Sequence, residues 1–200
     1  MVLDLTKGMT LDLTKIENAS GLTDVAVGVN WGQIKKGGLF GFGSSSEAVD
    51  LDLSALLYAA DGSLVDKIYY GNKSGKGVRH SGDDLTGDSS QDDNDNETIT
   101  VKLADTAPSV TKIVFVLVSF KGQDFGDLPY AGMNLYNISS GKVKLANSNI
   151  DITKDSKYKG KVSMVFAALE KINNNWTYRM IAEPTDKRSL GDLVSVCKNI

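Results

Sequence analysis

The chain has 200 residues, a formal net charge of −3 from 22 basic and 25 acidic residues, and a single cysteine, Cys197. This length is sufficient for one domain with a sizeable core, so we expect residues 1–200 to form a single domain. A chain without a basic run is a poor candidate for nucleic-acid binding, and one histidine with one cysteine cannot supply a typical zinc site.

The first part of the chain shows strand patterns. Apolar and polar residues alternate in residues 3–7 and again in residues 11–15, on either side of Gly8, and this predicts a hairpin. Residues 25–31 predict a third strand. Residues 37–46 are rich in glycine and serine and predict a mobile loop.

An acidic strand is predicted at residues 49–58. Alternation would direct Leu51 and Leu53 towards the core and place Asp50 and Asp52 on the opposite face. The two carboxylates would therefore lie side by side.

Most of the remaining elements are also predicted to be strands. The Asp61-Gly62 turn predicts a hairpin, and residues 110–120, the most apolar run, predict a strand buried on both faces at the centre of a sheet. Further strands are predicted at 65–70, 98–103, 131–137, 141–146, 162–170 and 176–182, the last two joined by a turn at 173–175. Leucine, valine and cysteine at helical spacing predict a short C-terminal helix. The fold class expected is mostly all-β, a two-layer β-sandwich with one short C-terminal helix.

The cellular compartment is expected to be the cytoplasm. No apolar run approaches the roughly 20 residues that span a bilayer, and residues 1–8 lack the basic start and apolar stretch of a secretory signal. The single cysteine can form no internal disulfide, which agrees with a reducing compartment.

Residues 80–97 contain seven acidic residues and no lysine or arginine, whereas the remaining 18 acidic residues are outnumbered by 22 basic ones. Carboxylates this close repel one another unless water or a hard cation surrounds them. Calcium takes about six to eight oxygen ligands, whereas magnesium keeps several waters, so these residues suit calcium better. The segment does not fit the EF-hand pattern. From the residues alone, residues 80–97 have two possible interpretations, a solvated acidic loop and a metal site.

Several segments resemble the TerD family of bacterial tellurite-resistance and general stress proteins. Residues 49–54 resemble its F-D-L-D-A-S strand, residues 80–88 its H-T-G-D-N-x-T-G-E motif, and residues 93–97 its closing D-G-D-D-E. Weaker similarities lie at residues 13–15, 27–31, 112–115, 123–126 and 176–179. The acidic loop is longer than the family pattern between Asp88 and Asp93, and the family's Gly-Trp-Asp is here Trp31-Gly32.

The resemblance implies a calcium-binding β-sandwich that acts in cytoplasmic stress responses, with no established catalytic reaction. It implies two calcium ions held by the acidic strand and the acidic loop. The candidate ligands that it implies are Asp50, Asp52, Asp83, Asp84, Asp88, Asp93, Asp95 and Glu97. The expected partners are proteins of a stress-response complex, for which the inner face of the membrane is one candidate location, and no nucleic acid.

Two alternative functions are considered beside the calcium-binding stress module. One is a calcium-dependent carbohydrate-binding module. The other is a metal-assisted phosphoesterase, in which aspartate pairs position an ion that activates water. His80 lies near Ser81 and Asp83, but no motif pairs a base with a nucleophile, so we expect no enzyme activity.

Overall fold

Strands are the main regular secondary structure in the computed structural model, which describes residues 2–16, 22–37, 45–92, 94–150 and 155–200. The strands are β1 (Leu3–Asp4), β2 (Thr10–Asp12), β3 (Asp24–Trp31), β4 (Ile34–Lys36), β5 (Ser45–Glu47), β6 (Leu51–Tyr58), β7 (Leu64–Ile68), β8 (Ser74–Gly75), β9 (Val78–His80), β10 (Glu97–Lys102), β11 (Lys112–Ser119), β12 (Ala131–Asn137), β13 (Val143–Ile150), β14 (Ser163–Ile172) and β15 (Asn175–Thr185). One α-helix, α1, spans Leu190–Cys197. Single-turn 3-10 helices lie at Phe125–Asp127 and Ser156–Tyr158.

Two large sheets pack face to face. A seven-stranded sheet has the order β1-β13-β12-β3-β10-β9-β8, and a six-stranded sheet has the order β2-β15-β14-β11-β6-β7. The inward side chains of both sheets, among them Trp31, Phe115 and Phe166, form one buried cluster. Strands β4 and β5 pair separately. The predicted class, mostly β and sandwich-like with a short C-terminal helix, is confirmed.

The C-terminal helix covers the outer face of the six-stranded sheet. Leu193 and Cys197 are fully buried there in a second apolar cluster with Leu56 of β6 and Val116 of β11. Ser189 caps the helix, because its hydroxyl oxygen accepts a hydrogen bond from the backbone N–H of the third helical residue. No helix in the described part of the chain has the length and the apolar character that crossing a membrane requires.

The central strands follow the sequence predictions closely. β11 lies between β6 and β14, and its apolar residues 113–118 are buried on both faces, as its continuous apolar run predicts. The hairpins between β6 and β7 and between β14 and β15 are also present. Gly62 has φ +79°, the left-handed conformation that the predicted turn requires.

The predicted hairpin between residues 3–7 and 11–15 is wrong. β1 pairs in parallel with β13 in one sheet, whereas β2 pairs antiparallel with β15 in the other. The chain crosses between the layers at this point, so that Leu5 and Leu13 are both buried in the shared core. Alternation predicts the two extended segments but not the sheet that each one joins.

The predicted loop at 37–46 is only partly described. Residues 38–44, which include Phe40 and Phe42, lie outside the described residues. At its end the loop prediction is wrong, since Ser45 and Ser46 belong to β5 and pair with β4.

Trp31 is fully buried, and its indole N–H donates a 2.9 Å hydrogen bond to the carbonyl oxygen of Val49.

Replacement of Leu193 by alanine tests how far α1 contributes to the fold. The side chain is fully buried against the sheet, so we expect Leu193→Ala to lower the free energy of unfolding by about 2–4 kcal/mol in urea denaturation. Ser195→Ala, on the exposed side of the same helix, should change it by less than about 0.5 kcal/mol. Equal losses in both variants would contradict the packing described.

Candidate metal centre

Two buried side chains from the seven-stranded sheet cross the core and bind the backbone of β6. The Leu53 N–H donates a 2.7 Å hydrogen bond to Glu97 Oε2, and the Leu53 carbonyl oxygen lies 3.0 Å from His80 Nε2. β7 pairs with β6 only up to Ala55, so Leu53 lies beyond the end of β7. Glu97 and His80 therefore supply the hydrogen bonds that a neighbouring strand would otherwise make.

The protonation of His80 follows from its partners. The Gly82 N–H donates to Nδ1 at 3.0 Å, so Nδ1 accepts and Nε2 carries the proton. Nε2 donates to the Leu53 carbonyl and also lies 3.3 Å from Glu97 Oε2, where both side chains are completely buried. His80 ends β9 opposite Ile99, and this position directs the ring into the core.

Glu97 also fixes the acidic loop. Its second oxygen accepts the Asp84 N–H at 3.1 Å. Asp84 Oδ1 in turn accepts from the backbone N–H groups of Thr86 and Gly87, and Oδ2 accepts from the Asn96 side chain. Burial alone would raise the pKa of Asp84, but these hydrogen bonds outweigh it and hold the pKa below its usual value. Asp84 therefore organises the loop.

Three carboxylates meet beside this anchor and form the aspartate trio, Asp50, Asp52 and Asp83. Each offers one oxygen atom, and the three oxygens lie within 4.8 Å of one another. Asp50 and Asp52 are buried at the start of β6, whereas Asp83 is exposed in the loop. The structure thus joins the predicted acidic strand to the predicted acidic loop.

The electrostatics of the trio are unfavourable without a cation. Burial raises the pKa of Asp52 to about 7, with further increases from the neighbouring charges of Glu97, Asp50 and Asp83. Burial also raises the pKa of Asp50, and the Lys121 ammonium, 3.8 Å from Asp50 Oδ2, opposes that increase. Lys121 is half-exposed. One exposed ammonium is a weak counter-charge for carboxylates buried this close together.

Asp88 lies in the acidic loop with its carboxylate bound to protein groups. Oδ1 accepts from the Asn96 amide at 2.9 Å, and Oδ2 accepts from the Tyr130 hydroxyl at 3.2 Å. Its backbone joins the loop to the end of β3, because the Asp88 N–H donates to the Trp31 carbonyl. Asn96 thus holds Asp84 and Asp88 together, and the same side chain accepts from the Trp31 N–H.

Asp95 lies on the outer face of the seven-stranded sheet. Its carboxylate sits over Gly28, where a Cβ atom would come within 2.2 Å of Asp95 Cγ. Oδ1 accepts from Asn134, and Oδ2 lies 3.2 Å from Lys142 Nζ. Val27 and Val29, on either side of Gly28, are in the core, so Asp95 is on the opposite side of this sheet from the core. The predicted ligand Asp93 lies outside the described residues.

The structure therefore divides the predicted ligands into groups. Three of them converge on one point, namely Asp50, Asp52 and Asp83. The other four described carboxylates accept hydrogen bonds from protein groups, namely Asp84, Asp88, Asp95 and Glu97. The anchoring role of Glu97 has a sequence signal, since period two places it on the same face as Ile99 and Val101. No sequence pattern predicts that Lys121 lies next to Asp50, because the fold alone brings the two side chains together.

Comparison with known proteins identifies relatives along the whole chain. Residues 1–196 match the model of the TerD domain, which confirms the resemblance seen in the motifs. Stress response protein SCP2 of Bacillus subtilis (strain 168) is 31% identical over 207 residues, covering 98% of each chain. Tellurium resistance protein TerZ of Serratia marcescens is 30% identical over 198 residues (97% of this chain, 96% of TerZ). Tellurium resistance protein TerD of Alcaligenes sp is 32% identical over 206 residues (98% and 96%).

Two solved structures share the fold. The crystal structure of the unknown function protein SAV2460 aligns with a TM-score of 0.66 at 16% identity, covering 90% of this chain and 98% of that one. A homologue of telluride resistance protein (TerD), SCO6318 from Streptomyces coelicolor A3(2), aligns with a TM-score of 0.62 at 17% identity (85% and 94%). At this identity the likeness concerns the fold alone.

Glu97→Ala should destabilise the protein strongly. It leaves the N–H groups of Leu53 and Asp84 without their acceptor in a buried place, so we expect a loss of roughly 2–4 kcal/mol in urea denaturation. Glu97→Gln keeps one amide oxygen as an acceptor and should lose less. An alanine variant as stable as the glutamine variant would contradict the anchoring role.

The pH dependence of stability tests the electrostatics of the trio. The pKa of Asp52 is about 7 in the folded protein against 3.8 when unperturbed. Between these two pH values the folded state therefore binds more protons than the unfolded state. The free energy of unfolding in chelator should therefore fall as pH rises from about 5.5 to about 8. Asp50 acts in the same direction. Asp52→Asn should remove most of this fall, whereas Asp105→Asn, at an exposed carboxylate, should retain it. A fall that is unchanged in Asp52→Asn would contradict the assignment.

Proposed function

The chain belongs to the TerD family, and from that premise we propose that it is a calcium-binding stress-response module whose first ion is bound by the aspartate trio. The observation that carries the proposal is the convergence of three carboxylate oxygens within 4.8 Å, two of them on buried side chains. Burial, together with the neighbouring negative charges, raises the pKa values of Asp50 and Asp52, and a bound dication would favour their ionised forms.

The donor set favours calcium over other metals. All three groups are carboxylates, the ligands of hard cations, and no imidazole or thiolate joins them in the described residues. The ligands come from two separate segments of the chain. Asp83 is exposed, which leaves room for water molecules at the site. Calcium accepts such irregular, partly hydrated oxygen sets more readily than magnesium, which requires a near-ideal octahedron.

A second ion, implied by the family resemblance, would use the remaining carboxylates of the loop. Asp88 and Asp95 are its candidates in the described residues, and Asp93 is the third. Asp88 and Asp95 already bind Asn96, Tyr130 and Lys142, so an ion there would compete with these contacts. We therefore expect the trio to fill first and the second ion to bind more weakly.

The role proposed for the ion is to tie the acidic loop to β6 and so to shape a surface for protein partners of a cytoplasmic stress-response complex. Relatives named for stress response and for tellurium resistance support this role. We propose that the chain catalyses no reaction. His80, the obvious acid-base candidate, is fully buried with both ring nitrogens hydrogen-bonded, which favours a structural role.

A calcium titration by calorimetry on chelator-treated protein tests the proposal. We expect saturable binding, lost at the tighter site in Asp50→Asn and in Asp83→Asn and retained in Asp61→Asn, whose carboxylate lies in a distant turn. Calcium at about 100 times its dissociation constant should stabilise the protein by about 2.7 kcal/mol. No heat and no change of Tm in millimolar calcium would reject it. Hydrolysis of a phosphodiester that is lost in Asp83→Asn would instead support the phosphoesterase.

A further inference from the structure

A groove of about 330 Å³ lies on the helix-covered face of the six-stranded sheet, next to the trio. Asp52 belongs to both, since it is a member of the trio and also lines the groove. Besides Asp52, the groove is lined by two cations and three aromatic rings, namely Lys67, Arg188, Tyr69, Tyr70 and Phe120. Its volume is within the range of clefts that hold small organic molecules.

The two cations of the groove have no acidic partner among the described residues. Neither Lys67 nor Arg188 has a carboxylate oxygen within 4.0 Å in the part of the chain that the structure describes. The guanidinium of Arg188 lies across Gly122, where a Cβ atom would approach Nη1 to 3.1 Å. Unpaired cations in a concave site favour an anion, and a guanidinium suits an oxyanion best.

The aromatic residues form an open wall on this groove. Tyr69 packs edge to face on Tyr70 with ring centroids 5.3 Å apart, and Tyr70 packs on Phe120 in the same way at 6.4 Å. Phe120 is 63% exposed and Tyr70 is 37% exposed. Large exposed rings at the edge of a cleft are suited to pack against a flat apolar group.

We propose that this groove binds a small oxyanion that carries a planar ring, with the oxyanion on Arg188 and Lys67 and the ring against Phe120 and Tyr70. The inference deepens the proposed function in one respect, because calcium at the trio would also attract the oxyanion. Three carboxylates do not fill the coordination sphere of calcium, so positions remain for a ligand oxygen. A phosphate monoester and a carboxylate share the required chemistry.

Binding is measured by calorimetry on the full chain, with and without calcium, using four probes. Adenosine monophosphate and indole-3-carboxylate each carry a ring with an oxyanion, and they distinguish phosphate from carboxylate. Adenosine lacks the anion, and inorganic phosphate lacks the ring. We expect at least one ring-bearing oxyanion to bind in calcium, about tenfold more weakly without calcium, and the incomplete probes to bind weakly or not at all.

Matched variants locate the site. Arg188→Gln and Phe120→Ala should each weaken the ring-bearing oxyanion about tenfold without changing calcium binding. Arg79→Gln and Val143→Ala remove an exposed charge and an exposed apolar side chain outside the groove, and should change nothing.

The outcomes separate this inference from the calcium proposal. Calcium binding without binding of any probe, or probe binding unaffected by Arg188→Gln and Phe120→Ala, overturns the groove and leaves the calcium site standing. Probe binding that depends on Arg188 in a protein that binds no calcium supports the groove and rejects the calcium site. Calcium-dependent binding to phosphatidylserine vesicles, with no binding of the soluble probes, overturns the groove in favour of a membrane surface.

Discussion

The hydrogen bonds of Glu97 to Leu53 and Asp84 are the constraint on which the rest of the site depends. One buried carboxylate bonds to the edge of β6 in one sheet and to the acidic loop that leads out of the other sheet. His80 Nε2 donates a hydrogen bond to the backbone carbonyl oxygen of the same β6 residue, Leu53. Because β6 and the loop are held by one side chain, the trio is placed by the sandwich itself rather than by the loop alone.

This anchoring explains how like charges are kept together. Asp50, Asp52 and Asp83 are positioned by backbone hydrogen bonds, among them those of the neighbouring residues Leu53 and Asp84 to Glu97. The geometry is therefore fixed by satisfied backbone groups, while the charges of the trio remain poorly compensated. Structural and electrostatic roles are thus divided among adjacent acidic residues, because Glu97 and Asp84 accept hydrogen bonds from backbone groups, whereas the trio carries the charge that a cation would offset.

Local patterns in the sequence predict most of the strands, whereas the meeting of the acidic strand with the acidic loop is implied by the resemblance to the family. Alternation in β6 separates Asp52 from Leu51 and Leu53, and the acidic motif supplies Asp83. What sequence reasoning missed depends on contacts between distant residues. Nothing in the local sequence shows that Asp95 lies over Gly28 or that Asp88 accepts a hydrogen bond from Tyr130, so all eight acids seemed equivalent. The strands β1 and β2 show the same limit, since alternation does not choose between two sheets.

Asp52 links the two surfaces of the molecule for which functions are proposed. Its carboxylate belongs to the trio and also lines the groove that contains Lys67 and Arg188. With the trio free of metal, its negative charge opposes the two cations, and an approaching anion is repelled. A dication on the trio offsets most of the negative charge of its three carboxylates, so an approaching anion is repelled less and can reach the open coordination positions of the ion. The state of the metal centre would then set the affinity of the groove, which makes the ion more than a structural link between strand and loop.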